Sequence, residues 1–183
     1  FRNWSMEEQA KLGEKWGRAN GRPIYDTMNT ADIAALPVNE IAAKDAVLFL
    51  WATFPQLPDA LQVIDGWGFA YKTTAFTWVK QNPSGNGWKF GLGYWTRGNA
   101  ELCLLATRGH PRRICNRVSQ LVVAPVGAHS AKPPEVRDRI VQLMGDVPRI
   151  ELFARPPVPA GWDALGLEIS GKDIREELAG FGA

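Results

Sequence analysis

Residues 46–52, AVLFLWA, form an unbroken apolar run of strand length. Successive side chains of a strand point to opposite faces of a sheet, so a run with no polar member is the signature of a strand covered on both sides. The cover must come from helices, and the chain offers them at regular intervals. Thr30 caps a helix through ADIAALPV, with Asp32 in its first turn and Pro37 marking its end. Pro58 opens a second helix, DALQVIDGW, which stops at Gly66 and Gly68. An amphipathic pattern over 134–144 predicts a third. Between them, YKTTAFTWVK (71–80) alternates and is rich in aromatic and β-branched residues, the mark of a strand. Strands are also expected at 100–107, 118–124 and 149–154. Residues 5–20 are polar, with Ser5 as an N-cap and Glu7 and Glu8 behind it, but their glycines weaken a helix there.

Strands alternating with helices of this length give an α/β fold, an open sheet with helices on both faces. The short link between 71–80 and 100–107 predicts an antiparallel pair added to a mainly parallel core. A single domain over 1–170 is expected, followed by a tail, 171–183, whose apolar content is little beyond Leu178 and Phe181. In such sheets ligands bind outside the carboxyl ends of the strands, where Thr53, Lys80, Thr107, Pro125 and Arg155 fall.

Composition closes off other classes. A net charge of +2 excludes a histone-like polycation while leaving room for a local basic patch. Cys103 and Cys115 are too few to build a zinc site alone, and Cys103 sits in an apolar run, ELCLLA, as a small core residue would. Free thiols and the lack of a leader or of a span approaching roughly 20 apolar residues point to a cytoplasmic location. His110 and His129 are the only histidines, and neither has a partner at metal-ligand spacing. No GxxxxGK[ST] loop is present, and Gly91 and Gly93 lie ahead of a strand rather than opening a helix.

The stretch from His129 to Arg155 carries the chemistry. Lys132 stands immediately before Pro133 at a helix entrance, where backbone N–H groups already favour an anion, so it could hold a ligand carboxylate; a solvated surface lysine is the plainer alternative. In IELFAR, alternation puts Glu151, Phe153 and Arg155 on one face. A carboxylate in a strand is costly unless paired, so Glu151 is either an ion-pair partner of Arg155 or of a neighbour, or a group that orients a cofactor. Around the glycine-rich loop 81–99, Trp78, Trp88, Phe90, Tyr94 and Trp95 interleave with Lys80, Lys89 and Arg97. That pattern suits base stacking with phosphate contact, or else a packed loop with incidental charges. RGHPRRICNR brings Arg108, Arg112, Arg113 and Arg117 into one turn without an acid, either a phosphate-backbone contact or a solvated hairpin.

The succession YDTM (25–28), AVLFLWAT (46–53), WVK (78–80), GYWTRGNAELCLLATRG (93–109), HSAKPPE (129–135), IELFAR (150–155) and GWDALG (161–166) closely resembles the N6-adenine methyltransferases. That family is typified by the catalytic subunit of the eukaryotic mRNA adenosine methyltransferase, and this chain is similar to its small bacterial or phage members. The resemblance implies a Rossmann-like fold with permuted motif order, S-adenosylmethionine as cofactor, and methyl transfer to the N6 amine of adenine. The target would be DNA, with RNA as the alternative; a non-catalytic nucleic-acid-binding subunit is the rival reading. A homodimer or a related partner subunit is implied as well. On the same basis Lys132, Glu151, Arg155 and Glu168 would line the cofactor site, and Tyr25, Lys80, Tyr94, Trp95 and Arg97 would face substrate. The family's catalytic Asp-Pro-Pro-Trp is absent from these residues and is expected before Phe1, just ahead of FRNWS. After GWDALG, Leu167 replaces the usual Asn, which leaves Glu168 to meet the ribose hydroxyls.

Overall fold

The computed structural model describes residues 18–19, 22–23, 27–93, 95–128 and 131–181. The expected helix at 5–20 lies almost wholly outside these residues, as do Phe1, Tyr25, Tyr94 and His129. The first described elements are two short antiparallel strands, β1 (Arg18–Ala19) and β2 (Arg22–Pro23).

A four-stranded sheet forms the frame: β3 (Ala46–Ala52), β4 (Ala70–Gln81), β5 (Ala100–Arg108) and β6 (Leu121–Pro125), in the order β3-β5-β4-β6. β5 pairs antiparallel with β3 and with β4, whereas β4 and β6 pair in parallel. Thus β3, β4 and β6 share one direction and β5 alone opposes them, sitting inside the sheet. The carboxyl ends of β3, β4 and β6 therefore gather at one end with Ala100, the start of β5. Arg108, at the end of β5, lies at the other, opposite Ala46. Thr107, expected from sequence at the ligand-binding end, belongs to this far end because its strand is the reversed one.

Both faces of the sheet are covered, as AVLFLWA demanded. Leu48, Leu50, Leu102, Leu104 and Ala106 pack on helix α3 (Leu57–Gly66), whose Ala60, Val63 and Ile64 face them beside Trp67. On the opposite face Phe49, Trp51, Phe76, Trp78, Cys103 and Val122 meet helix α4 (Glu135–Met144) through Val136 and Ile140. Phe76, Ile64 and Leu104 are among the most fully buried side chains, and burial of each is worth about 1.5–3 kcal/mol. β3 is the last strand of its sheet among the described residues, which leaves Ala46–Trp51 half-buried.

Several boundaries move for identifiable reasons. Asn29, not Thr30, caps α1 (Thr30–Ala34): its side chain accepts the Asp32 N–H at 2.8 Å, and Thr30 instead donates to Asp59. The helix closes at Ala35, ahead of Pro37, and a short α2 (Val38–Ile41) follows. The run expected at 118–124 is strand only from Leu121: the Ser119 side chain turns onto the Leu121 N–H, while Gln120 still reaches β4, its carbonyl accepting the Thr77 N–H and its side chain donating to Thr74 O. A separate parallel pair, β7 (Ile150–Leu152) with β8 (Asp163–Leu165), joins the first core through Ile150, Leu152 and Leu165. Beyond α5 (Leu167–Ser170), the segment read as a tail carries α6 (Ile174–Phe181), and its Ile174 and Leu178 are buried in that same core. Two apolar residues four apart suffice to dock a helix, although the segment is otherwise polar.

Candidate functional site

The antiparallel register decides where the charged groups meet. Glu101 lies opposite Trp78, two residues before Lys80, and shares its face of the sheet with Cys103 and Trp51. Helix α4 packs on that face through Val136, so the residues at its entrance reach the same end of the sheet. Lys132 donates to one Glu101 oxygen at 2.6 Å, and Lys80 donates to the other at 2.5 Å. Lys80 Nζ also lies 5.1 Å from the Trp78 ring, and Lys132 Nζ lies 5.6 Å from the Trp51 ring. The two indoles pack edge to face at 6.3 Å, and Trp78 Nε1 donates to Ala124 at 2.9 Å. The result is a rigid aromatic floor under two ammonium groups that share one carboxylate.

Glu101 is the residue sequence inspection missed. Its side chain is 12% exposed. Burial alone would raise its carboxyl pKa, but the charges and hydrogen bonds of Lys132 and Lys80 outweigh burial and hold it below its ordinary value. Glu101 is therefore charged at neutral pH, and the cluster carries two positive charges against one negative. That excess of one positive charge, in a partly desolvated setting, is what an anionic ligand group would meet. The signal in the sequence was one acid beginning an apolar strand, GNAELCLLA, but only strand pairing could tell which cations it faced.

The loop that follows β4 is fastened to Lys80 by its backbone. Lys80 N–H donates to Asn99 O at 2.8 Å, and Lys80 O accepts from Lys89 N–H at 2.9 Å. Two turns build the loop: Asn82 to Gly87, and Gly91 to Gly98. A Cβ at Gly93 would stand 1.7 Å from Thr96 O, so only glycine fits that approach. Trp88 and Phe90 are half exposed and Trp95 is 82% exposed, with Arg97 exposed beside it. Trp78, grouped with them on sequence, is instead a buried core residue.

Glu151 and Arg155 do not pair with each other. Arg137 of α4 donates to both Glu151 oxygens, at 2.8 and 2.9 Å, and Arg155 pairs with Glu168 at 2.7 Å. The cause is Phe153, which has φ 55° and ends the alternation that would have placed the three residues on one face. A bulky residue in the left-handed region is strained, and such strain gathers where a turn is held for ligand contact. Helix α4 ties the two halves together, with Lys132 just ahead of it on Glu101 and Arg137 in its first turn on Glu151. Among the predicted residues, then, the structure joins Lys80 to Lys132 and Arg155 to Glu168. Trp95 and Arg97 lie on the loop that Lys80 anchors. The catalytic tetrapeptide expected before Phe1 lies outside the described residues, and the cluster by itself assigns no catalytic residue.

No helix among the described residues is long and apolar enough to cross a membrane. The MT-A70 family profile matches residues 6–168. Over 155 residues the chain is 37% identical to the Type II methyltransferase M.MunI of Mycoplasma sp, covering 82% of this chain and 62% of that protein. It is 30% identical over 155 residues to an Arabidopsis thaliana N(6)-adenosine-methyltransferase MT-A70-like protein, covering 84% of this chain and 22% of the relative. With the human N(6)-adenosine-methyltransferase catalytic subunit METTL3 it shares 29% identity over 150 residues, 80% of this chain and 26% of that protein. The chain thus spans under two-thirds of the Mycoplasma relative and about a quarter of the eukaryotic ones. Sheet order, two-sided helical cover and family match agree on a Rossmann-like methyltransferase domain: the chain belongs to the MT-A70 family.

Proposed function

We propose that this protein transfers a methyl group from S-adenosylmethionine to the N6 amine of adenine in DNA. The observation that carries the reading is the Lys80–Glu101–Lys132 cluster at the carboxyl ends of β4 and β6, in a chain of the MT-A70 family. The donor set fits the methyl donor: the cluster has one positive charge to spare for an amino-acid carboxylate, and Glu168, half exposed, keeps acceptor capacity for ribose hydroxyls beyond its pair with Arg155. Lys132 would hold the carboxylate, with Glu101 fixing the ammonium in place. Glu151, gripped by Arg137, and the Arg155–Glu168 pair would line the remainder. When bound, the cofactor supplies an electrophilic sulfonium methyl group.

The protein's task is positioning. An adenine amine is a weak nucleophile because its lone pair is delocalised into the ring, so the gain comes from holding it in line with the methyl group in a site that excludes water. In a duplex the base must leave the stack, and exposed aromatics at the rim lower that cost by stacking. Trp95, Trp88 and Phe90, exposed on the loop fastened to the Lys80 backbone, would serve this purpose, and Arg97 of the same loop would meet phosphate. Greater identity to the Mycoplasma type II methyltransferase than to the eukaryotic enzymes favours DNA. RNA adenosine is the second reading, and the relatives named N(6)-adenosine-methyltransferases favour it.

The test is methyl transfer by the full-length protein to matched DNA and RNA oligonucleotides, with N6-methyladenine read by nucleoside mass spectrometry. Calorimetry with S-adenosylmethionine should show weaker binding for Lys132→Ala. Equal affinities would remove Lys132 from the cofactor site, and folded, cofactor-bound protein that methylates neither substrate would favour a non-catalytic binding subunit.

A further inference from the structure

The two basic segments that sequence inspection read alike do not share a surface. Arg97 belongs to the loop at the site end, whereas Arg108, at the far end of β5, opens the other segment. Nine residues of β5 separate the ends by about 27 Å. The arginine-rich turn reaches the carboxyl end of α4, where Ile114 N–H donates to Leu143 O at 2.9 Å. Ten residues of helix put that point about 15 Å from the helix entrance.

Pairing separates this turn, together with the exposed Arg97 of the site-end loop, from the other arginines whose side chains are described. Both α4 arginines, and Arg149, Arg155 and Arg175, each hold a carboxylate. Arg112, Arg113 and Arg117 are exposed and hold none among the described residues, and Arg108 donates to the Asn39 carbonyl at 2.7 Å. Lys44 and Lys72, both exposed, stand at the same end: Lys44 O borders Gly109, and Lys72 lies between the β4 residues that pair with Ala106 and Leu105. Of the neighbouring acids, Glu40, beside the Asn39 that Arg108 holds, is exposed, and two others are engaged. Asp45 accepts the His110 N–H at 2.8 Å, and Asp146 is paired with Arg149. Nor is the turn loose, because Gly109, at φ 63°, packs so closely on Lys44 and Asp45 that a Cβ would fall 2.2 Å from Asp45 Oδ1.

We propose that this far-end surface (Arg108, Arg112, Arg113, Arg117, Lys44 and Lys72) is a second contact for duplex DNA, sequence-independent, gripping phosphates about 4–8 bp from the target adenine. A fixed separation of roughly 15–27 Å suits a stiff duplex, whose phosphates recur at set intervals. The inference rests on reading the lysine–glutamate cluster as the end that meets the target base.

The test compares wild type with an Arg112→Gln/Arg113→Gln/Arg117→Gln variant, measuring equilibrium binding to duplexes of about 7 bp and about 24 bp with a central adenine, across salt concentrations. On the long duplex the slope of log K against log salt should shrink by about 2.7, so that between 50 and 200 mM salt wild type loses roughly 40-fold more affinity than the variant. On the short duplex the two proteins should bind alike. The corresponding triple Lys variant, which keeps the charge, should restore the long-duplex slope. Unchanged binding to the long duplex overturns the proposal, as does an equal loss at both lengths. A loss confined to single-stranded RNA of matched length overturns the commitment to duplex. Binding is read without methyl transfer, so failure here leaves the methyltransferase reading intact, and an inactive protein could still show the length effect.

Discussion

Glu101→Gln replaces the one carboxylate that holds two lysines. All three side chains keep about two-thirds or more of their surface from water, so screening weakens their interaction without abolishing it. Each charge-assisted hydrogen bond contributes about 1.5–3 kcal/mol before that discount, and removing one partner leaves two ammonium groups facing each other. The expected loss at pH 7 is about 3 kcal/mol, a fall in Tm of about 6–12 °C for a chain of this size. A double-mutant cycle with Lys132→Met isolates the pair, and its coupling energy should be about 1–2 kcal/mol. The effect has a definite pH dependence. Glu101 is held below its ordinary 4.5 in the folded protein, so its contribution is fully present above 4.5 and is lost as pH falls through the lowered value. Wild type and Glu101→Gln should therefore converge in stability under acid. Zero coupling to Lys132, or a stability gap that persists unchanged at low pH, would refute the argument that this carboxylate anchors the cluster.

Two further perturbations probe the packing around it. Cys103 is fully buried and its thiol is pushed up to about 12 by that burial, whereas Cys115 is half-buried; a thiol reagent at pH 8 should label only Cys115 in native protein and both residues in denaturant, and native labelling of Cys103 would contradict the β5 register. Arg137→Met should cost about 1–2 kcal/mol by releasing Glu151, and Arg137→Lys should recover only part of it because a point charge cannot replace the two-pronged grip. An unchanged melting temperature for Arg137→Met would show that the pair adds nothing.

What sequence inspection could reach is set by locality. Period-two and period-3.6 patterns are local, so AVLFLWA and YKTTAFTWVK are strands where expected, and the amphipathic run after Lys132 is a helix. Helix caps and strand ends shifted where side chains competed for backbone groups, as Asn29 did at α1 and Ser119 before β6. IELFAR shows the limit of periodicity: one left-handed residue, Phe153, redirects Arg155 to Glu168 and leaves Glu151 to Arg137.

The sequence by itself determined the α/β class, the two-sided burial of the sheet, and the family, because these rest on order, spacing and apolar pattern along the chain. Tertiary structure alone decided which charges meet. Reversal of β5 within the sheet brings Glu101 beside Lys80 and under Lys132, 31 residues away in sequence. The same reversal carries Arg108 to the opposite end, so basic segments only a strand apart in the chain come to serve different surfaces. Hydrophobic pattern is written residue by residue; the partners of a charge depend on strand direction and register, which are fixed only when the whole sheet assembles.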